Sequence, residues 1–264
     1  MFSWGNKFVG GSMSSITNNQ LINVIKVFAG RSSFAALKSD GSVVTWGGKE
    51  TGGDSSSVAD KLTTGVKYVV SSKGAIVAYT SSHGLIVWGQ SMFGGDSSVV
   101  NSEINSDIVS VSHTDGAFAA IKTGGDVVTW GANQFGGNSS IVQSSLHNIT
   151  AIYSNGKAFA ALTTNESVVV WGNVASGGFT NNTELYSKVS TIYATRTAFA
   201  ALKTDGSVVT WGDQKQGGNS GDVAAYLTSD VKSIHSNDVA FSAIKSDGTV
   251  ITWGNTVSVT TGMC

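Results

Sequence analysis

The chain has no proline, one cysteine and few charges: charged side chains make up 12% of its 264 residues, about half the usual globular share. The lone Cys264, at the last position, excludes an internal disulfide framework and a cysteine-only metal cage. With 16 basic and 17 acidic side chains the net charge is −1, which leaves no electrostatic footprint for nucleic acid or an anionic membrane. No run approaches 18 consecutive apolar residues, so no helix is expected to cross a bilayer. No charged-then-apolar leader follows Met1, so no signal peptide is expected. Disorder is excluded too, because a hydrophobic fraction of 41% with so little charge suffices to bury a core.

What is present is repetition. All seven tryptophans stand in Trp-Gly pairs, at Trp4, Trp46, Trp88, Trp130, Trp171, Trp211 and Trp253, spaced by 42, 42, 42, 41, 40 and 42 residues. Before each pair from Trp46 onward lie two apolar runs joined by a turn, as in Phe34-Ala-Ala-Leu37, Asp40-Gly41 and Val43-Val44-Thr45-Trp46. After six of the seven pairs come four variable residues and a Gly-Gly, as at Gly94-Gly95. Asp-Gly between short apolar runs is a strong hairpin signal, because glycine accepts a positive φ without a Cβ clash. A further apolar stretch precedes each hairpin, for example Val24 to Phe28 and Val231 to Ile234, and a Ser/Asn-rich segment ending in Val or Ile follows each Gly-Gly. Four short strands per repeat are expected, the last being that Ser/Asn-rich segment. Residues 97–105 and 222–228 are the places where a helical turn would compete.

Six complete repeats of about 42 residues and a partial seventh predict an all-β fold, a β-propeller of four-stranded blades, forming a single domain over residues 1–264. Radial repetition also removes the long exposed sheet edges that a proline-free, charge-poor chain has difficulty protecting. Each repeated Trp, if buried, removes about 200 Å² from water, a gross gain near 5 kcal/mol at ~25 cal/mol per Å². The tryptophans therefore read as core. The glycines after them read as positions needing positive φ or close backbone approach. Met1 to Gly5 would be a lone third strand, and residues 12–16 would complete the last blade from outside if the chain closes by itself.

The unit at residues 201–212, Ala-Leu-Lys-Thr-Asp-Gly-Ser-Val-Val-Thr-Trp-Gly, with its following Gly-Gly, resembles the repeats of the regulator of chromosome condensation family. It is most similar to the short-repeat branch that includes the propeller-type β-lactamase inhibitor protein. The resemblance spans nearly the whole chain. It implies a propeller, commonly seven-bladed, that binds other proteins through loops on one face. The longer-repeat branch carries Gly-Gln-Leu-Gly after its Trp-Gly. Here a bare Gly-Gly stands in that place, and with the near-zero net charge this argues against Ran nucleotide exchange and chromatin binding.

Catalytic and metal chemistry find little support. The histidines, His83, His113, His147 and His235, form no zinc-binding spacing and have no cysteine partners. His83 occupies the hairpin position held by Gly41 and Gly206 elsewhere, which makes tolerance of positive φ its simplest role. Asp54 and Asp96 follow Gly-Gly pairs singly, a density that suits turns rather than a calcium loop. No phosphate-binding glycine loop is present, and no nucleophile motif adjoins a histidine, so neither an enzyme nor a cofactor is expected. Four Asn-x-Ser/Thr matches, at Asn138, Asn148, Asn165 and Asn181, are those an Asn/Ser/Thr-rich chain produces by chance.

Variation between repeats points to function, because scaffold positions must recur whereas a partner-specific surface is free to differ. Fifteen residues before each Trp, in the loop between first and second strands, the repeats read Arg31, Lys73, Asp115, Gly156, Arg196 and Asp238. Lys157, one place on, stands in for Gly156. The four residues after each Trp-Gly form a second variable set that includes Phe93 and Phe135. The expectation is a protein-binding rim of Arg31, Lys73, Asp115, Lys157, Arg196, Asp238, Phe93 and Phe135. Ordinary solvated loop tips would vary in the same way. The favoured role is a non-catalytic scaffold that binds another protein, as a monomer or part of a longer chain. The alternatives are a rigid spacer in a larger repetitive surface or secreted protein and, last, a ligand site in a central channel.

Overall fold

The computed structural model describes residues 5–12 and 19–255. Within them the regular structure is strand and short helical turn, in six sheets of three antiparallel strands each. These are β1 (Val24–Ala29), β2 (Ser33–Lys38) and β3 (Val43–Gly47), then β4 (Val66–Ser71), β5 (Ala75–Thr80) and β6 (Leu85–Gly89). Next come β7 (Ile108–His113), β8 (Ala117–Lys122) and β9 (Val127–Gly131), and β10 (Ile149–Ser154), β11 (Ala158–Thr163) and β12 (Val168–Gly172). The last two are β13 (Val189–Ala194), β14 (Ala198–Lys203) and β15 (Val208–Gly212), and β16 (Val231–Ser236), β17 (Ala240–Lys245) and β18 (Val250–Gly254). In each sheet the strands lie in chain order. The chain divides into two compact units, residues 1–152 and 153–264, with the boundary inside β10.

The expected all-β repeat is present, but each described sheet has three strands rather than four. The segment after Gly-Gly turns instead of extending. Asp54 Oδ1 accepts the Ser56 N–H at 3.0 Å, and Asp96 Oδ1 accepts the Ser98 N–H at 2.9 Å. Such a bond closes a local turn and diverts the chain from a sheet ladder. Helical turns then follow at Ser56–Leu62, at Ser98–Val100 with Asn101–Ile104, and at Gly221–Tyr226, and large apolar residues in or just after them are buried: Leu62, Val100, Ile104 and Leu227. The aspartates that follow Gly-Gly thus serve turns, as their isolation in the sequence suggested. Trp4 and residues 13–16, where the lone third strand and the closing strand were expected, lie outside the described residues.

Successive sheets pack face to face within each unit. In the first, Ala35, Leu37 and Val43 of one sheet meet Leu62, Val66, Val69, Ile76, Ala78 and Trp88 of the next. In the second, Ala198, Ala200 and Leu202 meet Leu227, Val231, Ile234, Phe241 and Trp253. Small residues on one sheet thus receive large ones from its neighbour, so the layers interdigitate. In five of the six sheets the Trp stacks on the Phe paired with it across the hairpin, whereas Trp88 is paired with Ile76. The ring centroids of Phe118 and Trp130, for instance, lie 5.3 Å apart. Its indole N–H donates to a Gly-Gly carbonyl of the preceding repeat: Trp88 to Gly52 at 2.9 Å, Trp130 to Gly94 at 3.1 Å and Trp253 to Gly217 at 3.1 Å. The two glycines of a pair have different duties. Gly136 has φ +92°, and a Cβ on Gly137 would stand 2.2 Å from the Gly131 carbonyl oxygen.

Main-chain bonds join neighbouring repeats. The residue before each first strand, Asn23, Gly65, Asp107, Asn148, Lys188 or Asp230, has positive φ, as does the hairpin residue Gly41, His83, Gly125, Glu166, Gly206 or Gly248. The hairpin carbonyl accepts the first N–H of the next repeat's first strand: Val66 to Gly41 at 3.0 Å, Ile108 to His83 at 2.9 Å and Val231 to Gly206 at 3.0 Å. His83, with φ +61°, fills the role expected of it.

Candidate functional site

The loops between first and second strands are three residues long, which leaves little freedom for the side chains they carry. From the second repeat on, the side chain of the residue that begins each loop closes it. Ser72 Oγ accepts the Ala75 N–H at 3.1 Å, Thr114 Oγ1 the Ala117 N–H at 3.1 Å, and Thr195 Oγ1 the Ala198 N–H at 3.0 Å. Asn155 Oδ1 does the same for Ala158 N–H at 2.8 Å. The same side chains donate to the last residue of the loop that follows Trp-Gly: Ser72 to Phe93 O at 2.9 Å, Thr114 to Phe135 O at 2.8 Å, and Asn155 to Ser176 O at 2.7 Å. The two variable sets are therefore clasped together. Buried hydroxyls and amides so engaged act as structural fasteners.

In the first unit the structure gathers three of the expected rim charges around one depression of roughly 190 Å³, lined by Arg31, Lys73 and Asp115 with Ser71, Ser72, His113 and Thr114. Lys73 Nζ lies 2.5 Å from Asp115 Oδ2, and the Lys73 N–H donates to Asp115 O at 3.0 Å. Both side chains of this pair are mostly buried, at 29% and 21% exposure, whereas Arg31 is exposed. Phe93 and Phe135 are half-buried, with ring centroids 6.2 Å apart. Phe93 lies on Gly74, where a Cβ would come within 2.7 Å of its ring, and Phe135 lies on Gly116, where the distance would be 2.5 Å. The aromatic pair thus runs alongside the ion pair, since Gly74 follows Lys73 and Gly116 follows Asp115.

In the second unit, Lys157, Arg196 and Asp238 are exposed. Main-chain bonds link their loops: Gly156 N–H to Arg196 O at 3.0 Å, and Arg196 N–H to Asp238 O at 2.9 Å. The histidines are dispersed. His113 Nδ1 meets Thr114 O at 3.1 Å beside the depression, and His147 pairs with Asp126 at 2.5 Å on an exposed surface. Among the described residues no group of three or more His, Cys, Asp or Glu side chains could hold a metal ion, and no helix is long and apolar enough to cross a membrane.

Two features of the site went unread in the sequence although their signals are there. The residue sixteen before each Trp, from the second repeat on, is Ser72, Thr114, Asn155, Thr195 or Asn237, always able to cap a loop. Glycine fourteen before Trp occurs only at Gly74 and Gly116, the two repeats that carry Phe just before Gly-Gly.

In sequence the chain matches no protein-family model and no curated protein. In fold it is similar to β-propellers built from repeats of the regulator of chromosome condensation type. Prp20p of Saccharomyces cerevisiae is 17% identical with a TM-score of 0.52, over 92% of this chain and 74% of that one. Yeast RCC1 (Prp20) in its complex with Kap60 is 15% identical with a TM-score of 0.53, over 95% and 77%. Human WBSCR16 is 17% identical with a TM-score of 0.53, over 87% and 76%. The fold is thus an RCC1-like repeat fold, as the Trp-Gly and hairpin motifs implied.

Proposed function

We propose that this chain is a non-catalytic scaffold that binds another protein through the loops between first and second strands and the loops that follow Trp-Gly. The observation that carries the reading is the contrast inside the repeat. Core and backbone positions recur from sheet to sheet, while Arg31, Lys73, Asp115, Lys157, Arg196, Asp238, Phe93 and Phe135 differ at loop positions clasped to one another. Exposed Arg and half-buried aromatic side chains on a rigid support make up the composition of interface hot spots. The fold likeness agrees with this reading, since Prp20p is described with binding properties to Gsp1p and histones, and yeast RCC1 was solved bound to Kap60.

Affinity capture from the native host's extract tests it, using the chain beside a variant neutralised at Arg31, Lys73, Asp115, Arg196 and Asp238. Circular dichroism shows first that the variant is folded. A partner present in stoichiometric amount with the parent and lost from the variant is the expected result. Equal retention by both would remove the binding role from the charged loops between first and second strands and move it to the aromatic loops or elsewhere.

A further inference from the structure

We infer that the depression between Arg31 and Lys73 receives an acidic side chain of the protein partner, presented beside an apolar residue that rests on Phe93 and Phe135. This rests on the binding role proposed above and names the chemistry of the contact. Size comes first: a cavity of roughly 190 Å³ lies below the ~300–1,000 Å³ of small-molecule and cofactor sites, and suits a single side chain.

Charge comes next. Asp115 is already neutralised by Lys73 at 2.5 Å, so a basic partner group would have to compete with an ion already in place. Arg31 adds a full positive charge to the lining, which leaves Arg31, Lys73 and Asp115 with a sum of +1 around the opening. A carboxylate entering there meets the planar donor fork of Arg31 and the ammonium of Lys73, and carboxylate–guanidinium pairing is strong and directional.

Apart from His113, the rest of the wall carries no ionisable side chain. Ser71 Oγ donates to Ala29 O at 3.3 Å, while Ser72 and Thr114 donate to the carbonyls of Phe93 and Phe135 and accept loop N–H groups. Discrimination therefore falls to the charged side chains. The shelf beside them is apolar: Phe93 and Phe135 are held by the glycines beneath them and by the clasped carbonyls, so little ordering cost attends contact with an aromatic or aliphatic neighbour. Together these features specify a short segment in which Asp or Glu stands next to an apolar residue.

The test selects short random linear peptides displayed on phage against the chain of residues 1–264. Synthetic versions are then titrated calorimetrically against the parent, Arg31→Glu, Phe93→Ser and the five-site neutralised variant. The expected peptides are enriched in Asp or Glu adjacent to Phe, Leu or Tyr. Their binding weakens at least about tenfold with Arg31→Glu, weakens with Phe93→Ser, and falls as salt is raised. Replacing the acidic residue by its amide should cost as much as Arg31→Glu. An empty selection, enrichment of Lys or Arg, or equal binding to parent and Arg31→Glu would overturn the inference. Peptides that ignore Arg31→Glu yet lose the five-site variant would sink the acidic contact alone. Peptides that bind all four proteins equally would remove the loop face as well.

Discussion

Trp130 shows why a single residue type marks the repeat. Its ring stacks on Phe118 inside one sheet, while its indole N–H reaches Gly94 of the repeat before, so one side chain secures both a hairpin and a joint. Trp130→Ala should therefore cost ~3–5 kcal/mol through the cavity it leaves. Trp130→Phe, which keeps most of the packing but strands the Gly94 carbonyl, should cost about 1–3 kcal/mol. Arg31→Ala, at an exposed position, should stay within about 0.5 kcal/mol of the parent. Urea unfolding of the three variants reads all of these, and equal destabilisation by Trp130→Ala and Arg31→Ala would refute the division between core and rim.

Acid sensitivity also originates at single residues. Asp40 is held below its ordinary value of 3.8, first by the Ser42 hydroxyl and then by the Ser42 N–H. Asp205 is lowered in the same way by Ser207, and Asp247 mainly by the Thr249 N–H. A carboxyl depressed by folding adds stability that is fully present above its unfolded value and disappears as pH falls through the lower folded one. Urea midpoints measured from about pH 5 down to about pH 2 should fall across that window. The fall should be shallower in the Asp40→Asn, Asp205→Asn double variant. Identical slopes would show that these hairpin bonds do not contribute.

At the scale of elements, the clasp makes the clearest prediction. Thr114→Val keeps shape but removes both the donor to Phe135 O and the acceptor for the Ala117 N–H, so it should lose about 1–3 kcal/mol, whereas Thr114→Ser should hold most of it. Hydrogen exchange at Phe135 and Gly136 should rise in the valine variant only. The hairpins themselves were legible because Asp-Gly and Val-Val-Thr-Trp state both turn and strand within a dozen residues. The segment after Gly-Gly was not, because its closing Val or Ile resembles a strand end while its Asp54–Ser56 bond bends the chain first. For the site, variability alone located Arg31, Lys73 and Asp115. Their joining of Lys73 to Asp115 was hidden, since it depends on two repeats 42 residues apart placing loop tips within bonding distance.

At the scale of the whole molecule, stability in a repeat protein is a sum over units and their shared faces. The expectation of one domain over residues 1–264 predicts a single unfolding transition, coincident by tryptophan fluorescence and far-UV circular dichroism. Two separated transitions would instead follow the compact units 1–152 and 153–264.

The bonds from Val66 to Gly41, from Ile108 to His83 and from Val231 to Gly206 use peptide groups alone. A weld made of backbone takes no donor or acceptor from a side chain, although it needs residues that accept positive φ on both sides. The loop tips can therefore change without touching this part of the joint, as long as the Trp bonds and the packed core between repeats are kept. His83 and Glu166, sitting where the other hairpins have glycine, show that the turn itself also accepts a side chain.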